Sequence, residues 1–193
     1  MTGNAAPAES ADRRVRKTKK ALRDALVELI LEKGYGAVTV QDVVERADVG
    51  RTTFYAHFTD KEDLLASGFE ELHGAAATPR PGNEMAALGA LARDMLTHAE
   101  VEKRLYRAIM GRRGANPIAQ MLEQQLASFV EGILHAAKPA APPIRVSMAA
   151  RMATVSFLGV VAWWLDTDQP LTADQVADAF EVFAIPGLEA MLA

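Results

Sequence analysis

Two short apolar stripes at helical spacing, separated by a break of three residues, leave this chain few ways to fold. Val40, Val43, Val44 and Ala47 make the first, Asp48, Val49 and Gly50 the break, and "RTTFYAHF" at 51 to 58 the second, about two turns long. Thr39 is placed to cap the first helix, with Asp42 at N3, where a carboxylate complements the helix dipole. A longer helix precedes them: Ala21, Leu22, Ala25, Leu26, Leu29 and Ile30 recur every three or four residues until "EKGYG" stops them, with Gly34 at C′. Another follows at "TDKEDLL", with Thr59 or Asp60 as its cap. Helix, tight turn and helix between two longer helices is the layout of a helix-turn-helix module.

The side chains of the second stripe suit that layout. A recognition helix shows a polar face to DNA while its other face plugs a small core. Phe54 and Phe58, four apart, form the inward side, and Arg51, Thr52, Thr53 and Tyr55 lie on or beside the outward side. Arginine bonds guanine edges or phosphate, threonine offers a hydroxyl and a methyl, and tyrosine and histidine reach phosphate oxygens, which adds His57 to the set. Lys61, in the first turn of the next helix, is placed for one more phosphate contact. Taken singly, Tyr55 and His57 also suit a core rim with satisfied hydrogen bonds. The cluster is more specific than its members.

Charge points the same way. The net charge of -4 conceals a basic end: the first 23 residues hold seven Lys/Arg against Glu9 and Asp12. Positive charge is needed only where phosphates approach, so a basic segment on an acidic body is expected of a nucleic-acid-binding protein. Arg13, Arg14, Arg16 and Lys17 precede the secure apolar stripe and read as an arm for the minor groove or flanking phosphates, behind a disordered tail at 1–12. The plainer reading is a solvated tail that aids solubility. The chain has no cysteine, which excludes disulfides and thiolate zinc sites and is consistent with a reducing cytosol. "MTGNAAPAESADRR" carries no apolar segment of a secretory signal, so a cytoplasmic protein is expected. The run "MATVSFLGVVAWWL" at 152–165 favours a buried helix over a membrane span.

The remainder reads as helices near 83–99, 101–111, 116–136, 143–166 and 172–192, divided by "TPRPG" at 78–82 and "KPAAPP" at 138–143. Pro143 suits a first helical position, Thr172 a cap, and Pro186 a kink. The expected fold is all-α, about nine helices in total, with a tail at 1–12, a helix-turn-helix domain at 13–60 and a helical domain at 61–193. The helix at 143–166 is apolar all round, which suits burial by its own domain on one side and by a second subunit on the other. Val155, Leu158, Val161 and Ala162, with Val176 and Phe180 from the next helix, are the candidates for a homodimer interface built as a four-helix bundle. No cofactor motif is present, and His73, His98 and His135 lack metal-ligand spacing. A remote enzymatic alternative places His98 with Glu100 or Glu102 as acid-base groups, supported by nothing beyond nearness in sequence.

"TVQDVVERADVGRTTFYAHFTDKEDLL", with "EKGYGAVTV" upstream, resembles the DNA-binding signature of the tetracycline-repressor (TetR) family over roughly residues 14–68. The resemblance implies that Thr39, Arg51, Thr52, Thr53, Tyr55, His57 and Lys61 stand at the DNA. Two positions depart from the family pattern: Asp48 stands where glycine is frequent and Gly50 where a serine cap is. Aspartate tolerates a left-handed backbone and glycine is an acceptable N-cap, so the turn still closes. The resemblance further implies that the chain from about residue 79 dimerises and encloses a small-molecule pocket, making the protein a repressor released from a palindromic operator by an effector. An activator, or a regulator answering to a protein partner, is the alternative. Met95, Tyr106, Met110, Met121, Met152 and Phe157 are the candidates to line that pocket, against a reading of each as core filler. Trp163 joins them, because adjacent Trp163 and Trp164 cannot share one helix face.

Overall fold

The computed structural model describes residues 6–73, 82–110, 117–167 and 170–193, and among these every regular element is helical. The order is α1 (Ala6–Lys33), a 3-10 turn (Tyr35–Ala37), α2 (Val40–Arg46), α3 (Arg51–Tyr55), α4 (Lys61–His73), α5 (Glu84–Val101), α6 (Lys103–Met110), α7 (Pro117–Ala137), α8 (Pro143–Thr167) and α9 (Ala173–Leu192). The chain divides into two compact units, Met1–Gly68 and Phe69–Ala193. The division falls eight residues later than the expected boundary at 60/61, because Leu64 of α4 is fully buried in the first unit's core and Gly68 packs against the Arg23 side chain.

In the first unit, Leu22, Ala25, Leu26, Leu29 and Ile30 of α1 are buried against Val43 and Val44 of α2, Phe54 of α3 and Phe58 just beyond it. These are the stripes read from the sequence. The N-terminus differs: a tail was expected over 1–12, yet residues 6–12 are helical, so Arg13, Arg14, Arg16 and Lys17 project from a helix rather than from an extended arm. Ala6, Ala8 and Ala11 are strong helix formers, Pro7 is tolerated in a first turn, and Glu9 and Asp12 offset the dipole. The second stripe is also shorter than expected. Helix α3 stops at Tyr55, although Phe58 N–H still donates to Phe54 O at 2.9 Å and carries the turn onward.

The second unit is built around a core from α5, α7, α8 and α9, including Leu96, Leu134, Val146, Ala149 and Trp164. Pro143 opens α8, Thr172 caps α9 through a reciprocal pair with Gln175, and α9 continues through Pro186. By length and composition α8 is apolar enough to cross a bilayer, but its inner rows pack against α7 and α9. Two residues expected at a subunit interface are not available for one: Val161 and Val176 lie on the rows that close this unit's own core and are buried there. Phe180 is half-buried, with its ring edge against Phe157, and Leu158 and Ala162 are half-buried, whereas Val155 is 48 % exposed.

The packing separates the two units experimentally. Phe54→Ala removes the central ring of the first core and is expected to destabilise that unit by about 3–5 kcal/mol. Both tryptophans, Trp163 and Trp164, lie in the second unit. Thermal unfolding followed by far-ultraviolet circular dichroism should gain an early transition, while the tryptophan fluorescence transition stays in place. A fluorescence midpoint that falls together with the first would show that the units do not unfold separately.

Candidate nucleic-acid interface and effector cavity

The turn between α2 and α3 is held from both sides. The Thr39 hydroxyl accepts from Asp42 N–H (3.2 Å) and donates to the Asp42 carboxylate (2.6 Å), whose Oδ2 also accepts from Thr39 N–H (2.7 Å). Lys33 at the end of α1 reaches the same oxygen at 2.8 Å. The Lys33 contact, followed by the two from Thr39, holds the Asp42 carboxyl well below the usual carboxylate range. At the other end of α2, Arg46 forks onto Glu32 (2.8 and 2.7 Å) and bonds Glu28 (3.0 Å), which fixes α2 against α1. The turn itself needs a left-handed residue, and Asp48 supplies it with φ 52°. Gly50 starts α3 without a side-chain cap.

On this frame α3 presents Arg51, Thr52, Thr53 and Tyr55 to solvent while Phe54 is fully buried. Tyr55 is 50 % exposed, and the Arg51 guanidinium stands 5.7 Å from its ring, so the two side chains share one outward ledge. Gln41 at the start of α2 joins them: its Oε1 accepts from Arg51 Nη1 at 3.5 Å, at the long limit of a hydrogen bond. Sequence reading passed over Gln41. Its only signal is its place beside the cap of α2, one residue outside the buried Val43 and Val44 row. Thr39 is exposed at the same end of α2, its hydroxyl already engaged in the cap, and His57 is half-buried, its ring centre 6.4 Å from that of Phe58 in an edge-on arrangement.

Lys61 is not placed as expected. Its ammonium donates to Val38 O at 2.7 Å and Tyr35 O at 3.2 Å and lies 4.2 Å from the Tyr35 ring centre. The carbonyls around the 3-10 turn draw it inward, so it ties α4 to the segment before α2 instead of standing free for phosphate. The basic face of α1 is open: Arg13, Arg14, Arg16, Lys17 and Lys20 are exposed, with Arg16 3.8 Å from Asp12 and Lys20 2.6 Å from Asp24. Exposed pairs of this kind contribute little and yield readily to competing anions.

The second unit holds a partly open, largely apolar cavity, about 460 Å³ of empty space with the open solvent at its mouth included. It is walled by Leu88 and Met95 of α5, Leu126 and Val130 of α7, Thr154 and Phe157 of α8, and Phe180, Glu181 and Leu188 of α9. Of the pocket candidates, Met95 and Phe157 line this cavity. Tyr106, Met121, Met152 and Trp163 do not line it. Tyr106 turns to His98 instead, with its hydroxyl 3.1 Å from Nδ1, and burial, helped by Asp94 and Glu102, pushes that hydroxyl above its ordinary range. Met121 is half-buried, Met152 is exposed, and Trp163 is 45 % exposed while its neighbour Trp164 is the buried one, donating Nε1–H to Leu171 O. The Met110 side chain lies outside the described residues.

Residues 22–67 match the family model described as bacterial regulatory proteins, tetR family. The chain is 38 % identical over 71 residues to the HTH-type transcriptional regulator YxbF of Bacillus subtilis, a match covering 34 % of this chain and 19 % of that one, so it spans about a fifth of that relative's length. A solved TetR transcriptional regulator from Streptococcus agalactiae 2603V is 26 % identical, with TM-score 0.58 over 92 % of this chain and 98 % of its own. The fold is also that of the Bacillus subtilis transcriptional regulator FadR in complex with stearoyl-CoA, at 20 % identity and TM-score 0.56 over 90 % and 97 % of the two chains.

The geometry separates the exposed candidates on α3 from Lys61, which is tied into the fold. Arg51→Ala and Thr53→Ala should change which duplexes are selected from a randomised pool while leaving the first unit's melting unchanged, because both side chains are exposed and only base contacts carry sequence information. Lys61→Ala should instead lower that unit's stability by about 1–3 kcal/mol, since two carbonyls lose a charged donor. If Lys61→Ala melts like the parent and flattens only the salt dependence of binding, the inward placement of Lys61 has no energetic weight.

Proposed function

We propose that this chain, whose residues 22–67 match the family model of bacterial regulatory proteins, tetR family, is a homodimeric, sequence-specific DNA-binding transcriptional repressor released from a palindromic operator by a small apolar effector. The observation that carries the reading is the α3 ledge: four exposed polar residues stand on a five-residue helix whose one buried side chain, Phe54, locks it into the first unit. Arg51, Thr52, Thr53 and Tyr55 read and grip the groove, Gln41 steadies Arg51, and the basic face of α1 neutralises flanking phosphates.

A single module reads too few base pairs to select a site in a genome, so the reading requires a two-fold partner with half-sites about 34–36 Å apart. Support comes from an exposed apolar row along α8, with Ile144, Met148, Met152, Val155 and Trp163 at three- to four-residue and eight-residue intervals, and from Val182 and Phe183 on α9. Such a surface suits an isologous interface. Release requires the effector to bind the conformation that holds DNA weakly better than the one that holds it well; equal affinity would regulate nothing. The cavity between α5, α7, α8 and α9 is the proposed effector site, and the stearoyl-CoA of FadR remains a property of FadR.

Two measurements test this. Operator affinity should fall by about 10³–10⁵ between 50 and 200 mM salt, as for a dimer with some 6–10 phosphate contacts. Val155→Glu places like charges near the symmetry axis of a desolvated interface, and light scattering should then find a helical monomer whose operator affinity drops by far more than tenfold in a gel shift. A parent protein that is monomeric at micromolar concentration and still binds a palindrome in one tight step would defeat the dimer-first mechanism.

A further inference from the structure

The effector cavity contains two polar features among apolar walls. Thr154 of α8 is 1 % exposed, lines the cavity, and its Oγ1 has no hydrogen-bond partner. A helical threonine ordinarily turns its hydroxyl back to a carbonyl three or four residues earlier, so an unpartnered one against a cavity is a vacancy for a ligand group. Among the described residues that line the cavity, Glu181 of α9 is the ionisable one, with no lysine, arginine or histidine beside it. Its carboxylate lies against α5 at Gly89, where a Cβ would come within 2.9 Å of it, so the glycine gives the carboxylate its seat.

Among the described residues, the cation that pairs with Glu181 is Arg93, and it is already shared. Arg93 Nη2 donates to Glu181 at 3.0 Å and to Asp178 at 2.6 Å, while Nη1 donates to Asp174 at 2.9 Å, leaving three carboxylates around one guanidinium. Losing Glu181 to a ligand would leave Arg93 with two partners. An anionic headgroup would meet the Glu181 carboxylate with no uncommitted cation among the described lining residues, a like-charge contact that is unfavourable although solvent partly screens the Glu181 side chain, which is 35 % exposed. A cation gains from the same carboxylate, and its apolar tail takes the place of water against Leu88, Val130 and Phe157.

Resting on the reading of this cavity as the effector site, we infer that the effector is a lipophilic cation, a slender apolar molecule with an ammonium-type group that pairs with Glu181, and that the site rejects carboxylates and other anions of equal length. Thr154 fixes the depth of the ligand by bonding a polar group near its head. Selectivity lies in Glu181 and depth in Thr154.

The test uses three probes with one chain length on the full protein: n-octylamine, protonated at neutral pH, 1-octanol and octanoate. Calorimetric titration should rank the amine first, the alcohol second and octanoate at least about tenfold weaker than the amine. Glu181→Gln should remove the amine's advantage over the alcohol without weakening the alcohol. Gly89→Ala should do the same by displacing the carboxylate, and alanine is favourable in a helix, so folding is retained. Thr154→Val should weaken amine and alcohol alike by several-fold. Octanoate binding as tightly as octylamine, binding of none of the three at millimolar concentration, or an amine preference that survives Glu181→Gln would each overturn the inference. A gel shift separates the two readings. Octylamine that binds selectively but leaves DNA affinity untouched upholds the ligand class and defeats effector release, whereas octanoate that binds and releases DNA does the reverse.

Discussion

The burial of Phe54 is the interaction on which the exposed polar ledge of α3 depends. Helix α3 has five residues and no side-chain cap, and an isolated helix of that length does not persist in water. It exists because one ring is fully buried beside Phe58 and the α1 stripe, with ring centres 5.8 Å apart, while the residues on either side of it point to solvent. Reading and folding are therefore divided among adjacent residues. Any change that loosens Phe54 disperses Arg51, Thr52, Thr53 and Tyr55 together, whereas changes at those four leave the fold alone. The Asp42 cap and the Arg46 fork play the matching part for α2 by fixing the other arm of the turn against α1.

What the sequence disclosed follows from where period and cap signals are local. The α1 and α2 stripes, the Thr39 and Thr172 caps, the tolerance of Asp48 for a left-handed turn and the Pro143 start could be read because each depends on residues within one or two turns. Lys61 could not, because carbonyls 23 and 26 residues upstream fix its ammonium, and no pattern near Lys61 announces them. The helical extension of α1 was obscured by charge: seven basic residues in a row of eleven look like a solvated arm, yet the alanines before them favour helix. Helix α8 defeated face assignment for a different reason. With apolar residues on every row, periodicity does not say which row meets its own core. Trp163, a candidate for the pocket, is exposed and does not line it, and Val161 and Val176, candidates for a partner's face, are buried by their own unit.

That ambiguity in α8 is also a clue to how the second unit works. One helix supplies Val146, Ala149 and Trp164 to the core, Thr154 and Phe157 to the cavity, and Val155 and Trp163 to the exposed row. Thr154 and Val155 are neighbours in sequence, so a ligand that turns or shifts α8 by a fraction of a residue must move the exposed row as well. Close packing makes such a displacement discrete rather than elastic, because interdigitated side chains have few alternative arrangements. Helix α9 is tied into the same unit by Glu181 at the cavity and by the Arg93 cluster at its first turns.

The energy available for this coupling is of the right size. An allosteric effector needs about 1–3 kcal/mol of differential affinity between the two states to change DNA binding by 5- to 150-fold. Leaving the Thr154 hydroxyl buried without a partner costs about 1–3 kcal/mol, and a ligand that bonds it removes that cost in whichever state keeps the hydroxyl within reach. The apolar walls contribute affinity in both states and so contribute little to switching. Discrimination between states therefore rests on the polar groups, whose bonds fail within a few tenths of an ångström, while the hydrophobic wall tolerates movement. If the cavity takes an effector, a difference in affinity between two states would arise at its one unpartnered hydroxyl and one carboxylate rather than at its apolar walls.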